Sequence, residues 1–157
     1  MIKSFLIALK FLTIFPVGKN LDMQKREVAQ SMVYFPLVGA LIGLLLVAVD
    51  FIFKIFISSF IVNIFILIFL ALITGALHLD GFIDSMDGLL SGKGKKKILK
   101  IMRDSRIGSF GVLAVIFLIL LKFSFLNEIV SGIRYPILIL MPIISRWAVV
   151  YAAKKFP

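Results

Sequence analysis

Four long apolar runs, at about 31–51, 58–79, 109–125 and 136–151, decide what this chain can fold into. Each approaches the ~20 residues that carry a helix across a hydrocarbon core at 1.5 Å per residue. In lipid every backbone N–H and C=O must be satisfied within the protein, so such runs become membrane-crossing helices and not open strands. With 61% hydrophobic residues among 157 and a mean hydropathy of +1.11, the chain reads as an all-α integral membrane protein, a polytopic helical bundle of about four spans.

The charges are arranged around those runs. The net charge is +10, but Lys and Arg cluster at the ends of apolar segments, where they set orientation. Nucleic acid is therefore not an expected partner; the lipid bilayer is. The absence of cysteine excludes disulfides and thiolate chemistry, and a single histidine argues against a His-based zinc site. Residues 2–15 form an amphipathic pattern, with Ile2, Phe5, Leu9 and Leu12 on one stripe and Lys3 and Lys10 on another, which predicts an N-terminal interfacial helix ended by Pro16 and Gly18. No cleavable leader is expected, since Lys10 interrupts the first apolar stretch. Lys19 to Gln30 reads as a loop or short surface helix.

Within the first span, Gly39 and Gly43 form a small-xxx-small pair that lets another helix approach closely. Asp50, costly in lipid, has Lys54 one turn away as an interfacial ion-pair partner. The second span is expected to run from about Ser58 to Leu79 and to deliver Asp80 to the membrane surface. Gly92 to Lys97 reads as a solvated cytoplasmic loop, and Lys154 and Lys155 return the chain to the same side. One membrane domain covering residues 1–157 is expected, facing the cytoplasm from the cell's inner membrane. Four spans are few for enclosing a large polar site, so a truncated chain or a homodimer is anticipated.

The chemistry concentrates between His78 and Gly111, which hold half of the eight acidic residues. Asp80, Asp84 and Asp87 stand at i, i+4 and i+7, within roughly 60° of one another on a helix. Three carboxylates so placed repel one another unless a cation joins them. Without His or Cys, oxygen donors suit Mg²⁺, Mn²⁺ or Ca²⁺, and Mg²⁺ commonly shares itself with substrate phosphates. Gly81 and Gly88 leave one flank of that face as bare backbone. His78 lies roughly 160° from Asp80 and is read as a structural hydrogen-bonding residue.

A second polar cluster, Arg103–Asp104–Ser105–Arg106, precedes the third span. If it is helical, Asp104 shares a face with Gly108 and Gly111, and Asp104 becomes a fourth candidate metal ligand. Lys96, Lys100 and Arg103 form a basic stripe whose natural partners are phosphate oxygens. Lys93, Arg103, Ser105 and Arg106 are candidate phosphate-binding residues. Arg146, within the fourth span, either snorkels beside Trp147 or completes the phosphate site. These residues alone point to a metal-dependent enzyme or carrier acting on phosphate groups at the cytoplasmic surface.

The stretches HLDGFIDSMDGLLSGK and IMRDSRIGSFGVLA, supported by KFLTIFPVG, YFPLVGALIG and SRWAVVYA, closely resemble the cobalamin synthases, the adenosylcobinamide-GDP ribazoletransferases. Asp84–Ser85–Met86–Asp87–Gly88 is also similar to the opening DxxDG of the CDP-alcohol phosphotransferases, whose later paired aspartates are matched here by Asp104 alone. The resemblance implies a CDP-alcohol-phosphotransferase-like active site and a Mg²⁺-dependent transfer joining adenosylcobinamide-GDP to α-ribazole or its 5′-phosphate, with release of GMP. It implies metal-bridged diphosphate chemistry but not which aspartate is the base; the mechanism expected here has Mg²⁺ held by Asp84, Asp87 and Asp104 with Asp80 beside them, and Asp80 as first choice to take a proton from the ribazole 5′-hydroxyl. Family members usually continue into further hydrophobic spans. The competing readings are a CDP-alcohol phosphatidyltransferase and, in another class, a divalent-cation carrier.

Overall fold

The structure, a computed structural model, describes residues 1–17, 24–104 and 106–156. Gly18, Lys19 and Ser105 thus lie outside the described residues. In chain order the helices are α1 (Ile2–Leu12), α2 (Lys25–Ser31), α3 (Phe35–Phe53), α4 (Ser59–Ile73), α5 (Leu77–Leu90), α6 (Lys95–Ile101), α7 (Ser109–Glu128) and α8 (Arg134–Lys155). Short 3₁₀ turns precede α3 and α8, and no strand occurs among the described residues. The segments Lys25–Phe53, Ser109–Glu128 and Ser131–Lys155 are long and apolar enough to cross a membrane, and α4 with α5 would make a fourth, broken span.

Contacts divide the chain into two compact units, one of residues 1–75 and 129–157, the other of residues 76–128. In the first unit α3 and α8 lie antiparallel at very close range. A Cβ on Gly39 would fall 2.6 Å from the Pro142 carbonyl oxygen, and one on Gly43 would fall 2.6 Å from Ile139 Cα. The glycine pair therefore does what its spacing predicts, and α8 is the helix it admits. Lipid is as apolar as leucine, so close packing of this kind, not burial from water, drives helix association. Phe35, Val38, Ile42 and Leu46 of α3 and Leu138 of α8 are fully buried.

Polar side chains inside this unit pair with one another. Asp50, fully buried, accepts hydrogen bonds on Oδ1 from Arg134 Nε at 2.9 Å and Nη2 at 2.7 Å. Arg134 Nη2 also donates to Asn63 Oδ1, and Lys54 Nζ makes an ion pair with Asp50 Oδ2 at 2.8 Å. The expected Lys54 pair is thus present, but it is not the only partner of Asp50. Asp50 is the hub joining α3, α4 and α8, because a carboxylate withdrawn from water needs more than one partially exposed lysine to satisfy it.

The N-terminal helix is shorter than its pattern predicts. Thr13 adopts an extended conformation, its hydroxyl donating to the Leu9 carbonyl at 2.6 Å and accepting from Phe15 N–H at 3.3 Å. Pro16 disfavours a helical Phe15, which fixes the stop before it. Ile7, Ala8, Leu9 and Leu12 are buried while Ile2 is exposed, so the stripe that packs is centred on Ala8. Phe11 stacks on Phe35 with centroids 5.7 Å apart. Much of the apolar face of α1 therefore rests on protein, and Lys3 pairs with Glu27 of α2.

The second span differs most from expectation. Instead of continuing to Leu79, α4 ends at Ile73 after 15 residues, about 22 Å at 1.5 Å per residue and short of the ~30 Å hydrocarbon. Thr74 Oγ1 turns back to the Leu70 carbonyl at 2.8 Å. Gly75 and Ala76 then both take left-handed conformations, φ +56 and +55, a combination that ends an α-helix. Ile14 N–H donates to the Ile73 carbonyl at 2.9 Å, fastening the exit of α1 to this break.

In the second unit α7 is apolar on all sides, its buried residues being Gly111 and Leu126, the profile of a helix meant for lipid. The lysine run, expected as loop, is the first turn of α6. Gly92, at φ +64, turns the chain after α5, Gly94 stands extended as N-cap, and its carbonyl accepts from Lys97 and Ile98 N–H. The solvated connection is thus confined to 91–94. Sequence polarity indicated exposure correctly, since Lys95, Lys96 and Lys97 are exposed, but exposure does not preclude a helix that docks by its apolar side, where Ile98 lies against Gly88.

Candidate active site

The carboxylates of α5 lie on one helix as their spacing requires, but their surroundings differ. Asp87 is buried. Its Oδ2 accepts Gly108 N–H at 2.7 Å and its Oδ1 accepts Gly111 N–H at 2.8 Å. Those are backbone donors at the N-terminus of α7, where a helix has unsatisfied N–H groups and a positive dipole end. One carboxylate thus caps a neighbouring helix and bolts α5 to α7.

The glycines make this approach possible. A Cβ at Gly108 would sit 2.3 Å from Asp87 Oδ1, and one at Gly111 would sit 2.5 Å from Oδ2 and 2.8 Å from the Ile83 carbonyl. The face expected to belong to Asp104, Gly108 and Gly111 is therefore occupied by Asp87. Asp104 and residues 106–108 are not helical, so helical spacing does not apply to Asp104. Gly88 plays a matching role on the other flank, where an added Cβ would meet Met102 Cγ at 2.8 Å and Ile98 Cγ2 at 3.3 Å. That bare backbone receives α6, whereas Gly81 has nothing within 4 Å.

Asp84 is half-buried and Asp80 exposed, and neither carboxylate has a hydrogen-bond or ion-pair partner among the described residues. Asp104 is differently engaged. Arg106 closes on it through Nη2 at 2.7 Å and Nε at 3.1 Å, and its backbone N–H donates at 3.1 Å. Those bonds, the side-chain one foremost, hold the Asp104 carboxyl down to about 2 and push the Arg106 guanidinium up. The planar fork expected to grip phosphate is turned toward Asp104. Arg103 and Lys93 are exposed, and Ser105 lies outside the described residues. His78 is half-buried on α5.

Among the described residues no three His, Cys, Asp or Glu side chains are gathered tightly enough to enclose an ion. The donor set nevertheless fits a hard cation of the kind bound by one or two carboxylates together with substrate phosphates. Asp80 and Asp84 offer open carboxylates one turn apart. Asp87, one turn further, keeps a second lone pair on each oxygen after accepting one N–H apiece. Asp104, neutralised by Arg106, fits less well.

Arg146 belongs to the other unit and is described with it. It is 5% exposed, its Nε is sealed from solvent without a hydrogen-bond partner, and Trp147 beside it is exposed and stacked on Tyr151. Sequence reasoning did not single out Arg134 or Asn63. The available signal was their polarity at the edge of and within apolar runs, since such residues in membranes find one another.

An all-helical protein with three to four candidate membrane spans, bearing a row of aspartates on one helix, defines the class. Within it, the chain belongs to the cobalamin-5-phosphate synthase family, whose model matches residues 4–157. It is 44% identical over 151 residues to an adenosylcobinamide-GDP ribazoletransferase of Thermoanaerobacter pseudethanolicus, covering 96% of this chain and 60% of that protein. It is 40% identical over 153 residues to the protein of that name from Clostridioides difficile, covering 98% and 59% respectively. For the one from Desulforamulus reducens the values are 37% over 157 residues, 100% and 63%. The chain thus spans about three fifths of the length of these curated relatives. No solved structure matches it.

Proposed function

We propose that the protein is an adenosylcobinamide-GDP ribazoletransferase, joining adenosylcobinamide-GDP to α-ribazole or its 5′-phosphate and releasing GMP in the formation of adenosylcobalamin or its phosphate. The observation that carries this reading is the similarity of nearly the whole chain, aspartate row included, to relatives that bear the name.

The side chains divide the work. Asp84, with Asp80 and Asp87 a turn to either side, is the place for Mg²⁺. When bound, the ion supplies charge neutralisation to the diphosphate oxygens and the departing GMP. Asp87 holds α5 against α7 and so fixes where Asp84 and Asp80 point. Asp80, exposed and unengaged, takes the proton of the acceptor hydroxyl as its oxygen attacks the corrinoid-side phosphorus. The bond from that phosphorus to the oxygen of the GMP phosphate breaks, and GMP leaves with the bonding electrons. Arg103 and Lys93 are free to contact phosphate oxygens, whereas Arg106 acts first by holding Asp104.

One detail of the expected mechanism changes. The family description names a 5-phosphate, and an acceptor that carries it has its 5-oxygen esterified. The attacking oxygen is then another ribose hydroxyl, not the 5′-hydroxyl. The reaction is placed on the cytoplasmic side of the cell membrane, where the basic segments would lie by the positive-inside bias.

The test is to supply radiolabelled adenosylcobinamide-GDP and α-ribazole to purified full-length protein in detergent, with and without Mg²⁺. Coupled appearance of GMP and a base-bearing corrinoid is expected, and only with Mg²⁺. Cation flux through reconstituted protein without nucleotide release would instead indicate a carrier.

A further inference from the structure

Five glycines lie inside α-helices among the described residues, and four of them are accounted for by what they receive. Gly39 and Gly43 admit the backbone of α8, Gly88 admits Ile98 and Met102 of α6, and Gly111 admits Ile83 and Asp87 of α5. Gly81 admits nothing, since an added Cβ there meets no atom within 4 Å. Its backbone does not require glycine either, because positive φ among the described residues is confined to Gly75, Ala76 and Gly92. A glycine inside a helix is less favourable than alanine, as it gives up more conformational freedom on folding. Position 81 therefore carries a cost that neither packing nor conformation within the described chain explains.

The open space lies beside the unengaged carboxylates of α5. Asp80 immediately precedes Gly81, and Asp84 follows one turn later, roughly 60° around the helix. The Ser85 hydroxyl, which would otherwise project over the same flank, turns back to donate to the Gly81 carbonyl at 2.6 Å. Gly88, on the same face two turns on, is closed by α6. The glycine of the DxxDG pattern is thus taken up by the scaffold, while Gly81 stays open. Along the helix axis Gly81 is roughly 1.5 Å from Asp80, whereas Asp84 lies roughly 4.5 Å beyond it.

We propose that Gly81 is a specificity-determining residue of the transfer, its bare Cα being the surface on which the acceptor ribose rests while Asp80 takes the proton of the attacking hydroxyl. This rests on the transferase reading and adds to it the seat of one of the two substrates. The acceptor sits here, and not the donor, because the hydroxyl that meets Asp80 belongs to it and Asp80 is the carboxylate level with Gly81. The donor diphosphate belongs further along, at Asp84. A methyl group at 81 would take the space of the ribose, and a misfit of one such group changes substrate recognition by about 10- to 200-fold.

The test compares wild type, Gly81→Ala and Gly81→Leu as full-length protein in detergent, both replacements being good helix formers. The KM for α-ribazole is expected to rise about tenfold in Gly81→Ala and about a hundredfold in Gly81→Leu. The KM for adenosylcobinamide-GDP should not change, and the melting temperature should not fall. An unaltered acceptor KM in Gly81→Leu would overturn the proposal, as would an equal rise in both KM values. So would a lowered melting temperature in Gly81→Ala, which would show another helix packed at 81. A second measurement needs no turnover. The chain has no cysteine, so Ser85→Cys, one turn from Gly81, reports the same face to a small methanethiosulfonate reagent. α-Ribazole at about ten times its Kd is expected to slow that modification about tenfold and to leave Gly94→Cys unaffected. Equal shielding by GMP would overturn the acceptor assignment. Shielding in a protein that releases no GMP would sink the transferase reading and leave the acceptor seat standing, whereas GMP release without shielding would do the reverse.

Discussion

Asp80, Asp84 and Asp87 look equivalent in sequence, and the packing of α7 makes them unequal. Gly111 receives Asp87 so closely that Gly111→Ala must push α5 and α7 apart, at an expected loss of about 1–3 kcal/mol for overpacking together with about 1 kcal/mol for the weakened cap. Gly81→Ala, on the same helix as Asp87 with open space around it, should be neutral or stabilising by up to about 1 kcal/mol. Parallel unfolding curves in detergent check both, and equal destabilisation would contradict the assignment of Gly111. Asp104 gives a pH prediction. A carboxyl held at about 2 in the folded protein, below its ordinary 3.8, favours folding above the unfolded value and loses that contribution as pH falls through about 2. Its carboxyl ¹³C resonance should therefore stay flat from neutral pH to about pH 3, and a midpoint near 3.8 would show the Arg106 contact absent in solution. Helical periodicity was enough to put the three aspartates on one face. That Asp87, not Asp104, meets Gly108 and Gly111 was not readable, because it depends on which helix docks where.

At the level of elements, the paired glycines of α3 revealed a close helix contact before its partner was known, since a Cα surface without side chains has one common use in a bundle. The early end of α4 was less legible. Its apolar run continues through Ala76 and Leu77, and only the backbone at Gly75 and Ala76 breaks it. Asp50 illustrates the same difference, its local partner Lys54 being visible at i+4 while Arg134 lies 84 residues away. Removing one member of this buried cluster leaves the others uncompensated, so Arg134→Ala should cost about 3–5 kcal/mol. Lys54→Ala, whose side chain is partly exposed, should cost about 1 kcal/mol or less. Resistance to unfolding in a mixed-micelle titration distinguishes them, and the reverse order would show that Lys54, not Arg134, holds Asp50.

For the whole molecule, hydropathy and charge bias were sufficient for a helical membrane protein, and motif resemblance for its family. The division of the contacts into two units was not legible, because the first unit is assembled from both ends of the chain. Orientation can be tested directly, since the chain has no cysteine. Gly94→Cys adds a side chain with nothing within 4 Å and should react with a membrane-impermeant maleimide only after intact cells are permeabilised. Labelling in intact cells at the rate of an external control would put the basic segment on the other side.

The central claim is that one helix supports both the scaffold and the chemistry, with Asp87 holding α5 to α7 and Asp84 serving the transfer. The most direct measurement pairs GMP release from adenosylcobinamide-GDP with thermal unfolding, in full-length protein carrying Asp84→Asn or Asp87→Asn. Asp84→Asn should lower GMP release by a factor of about 100 or more, equivalent to roughly 2.7 kcal/mol of transition-state stabilisation, with an unchanged melting temperature. Asp87→Asn should lower both release and melting temperature. Wild-type release from Asp84→Asn at ordinary Mg²⁺, or a folding defect in it equal to that of Asp87→Asn, would contradict the account.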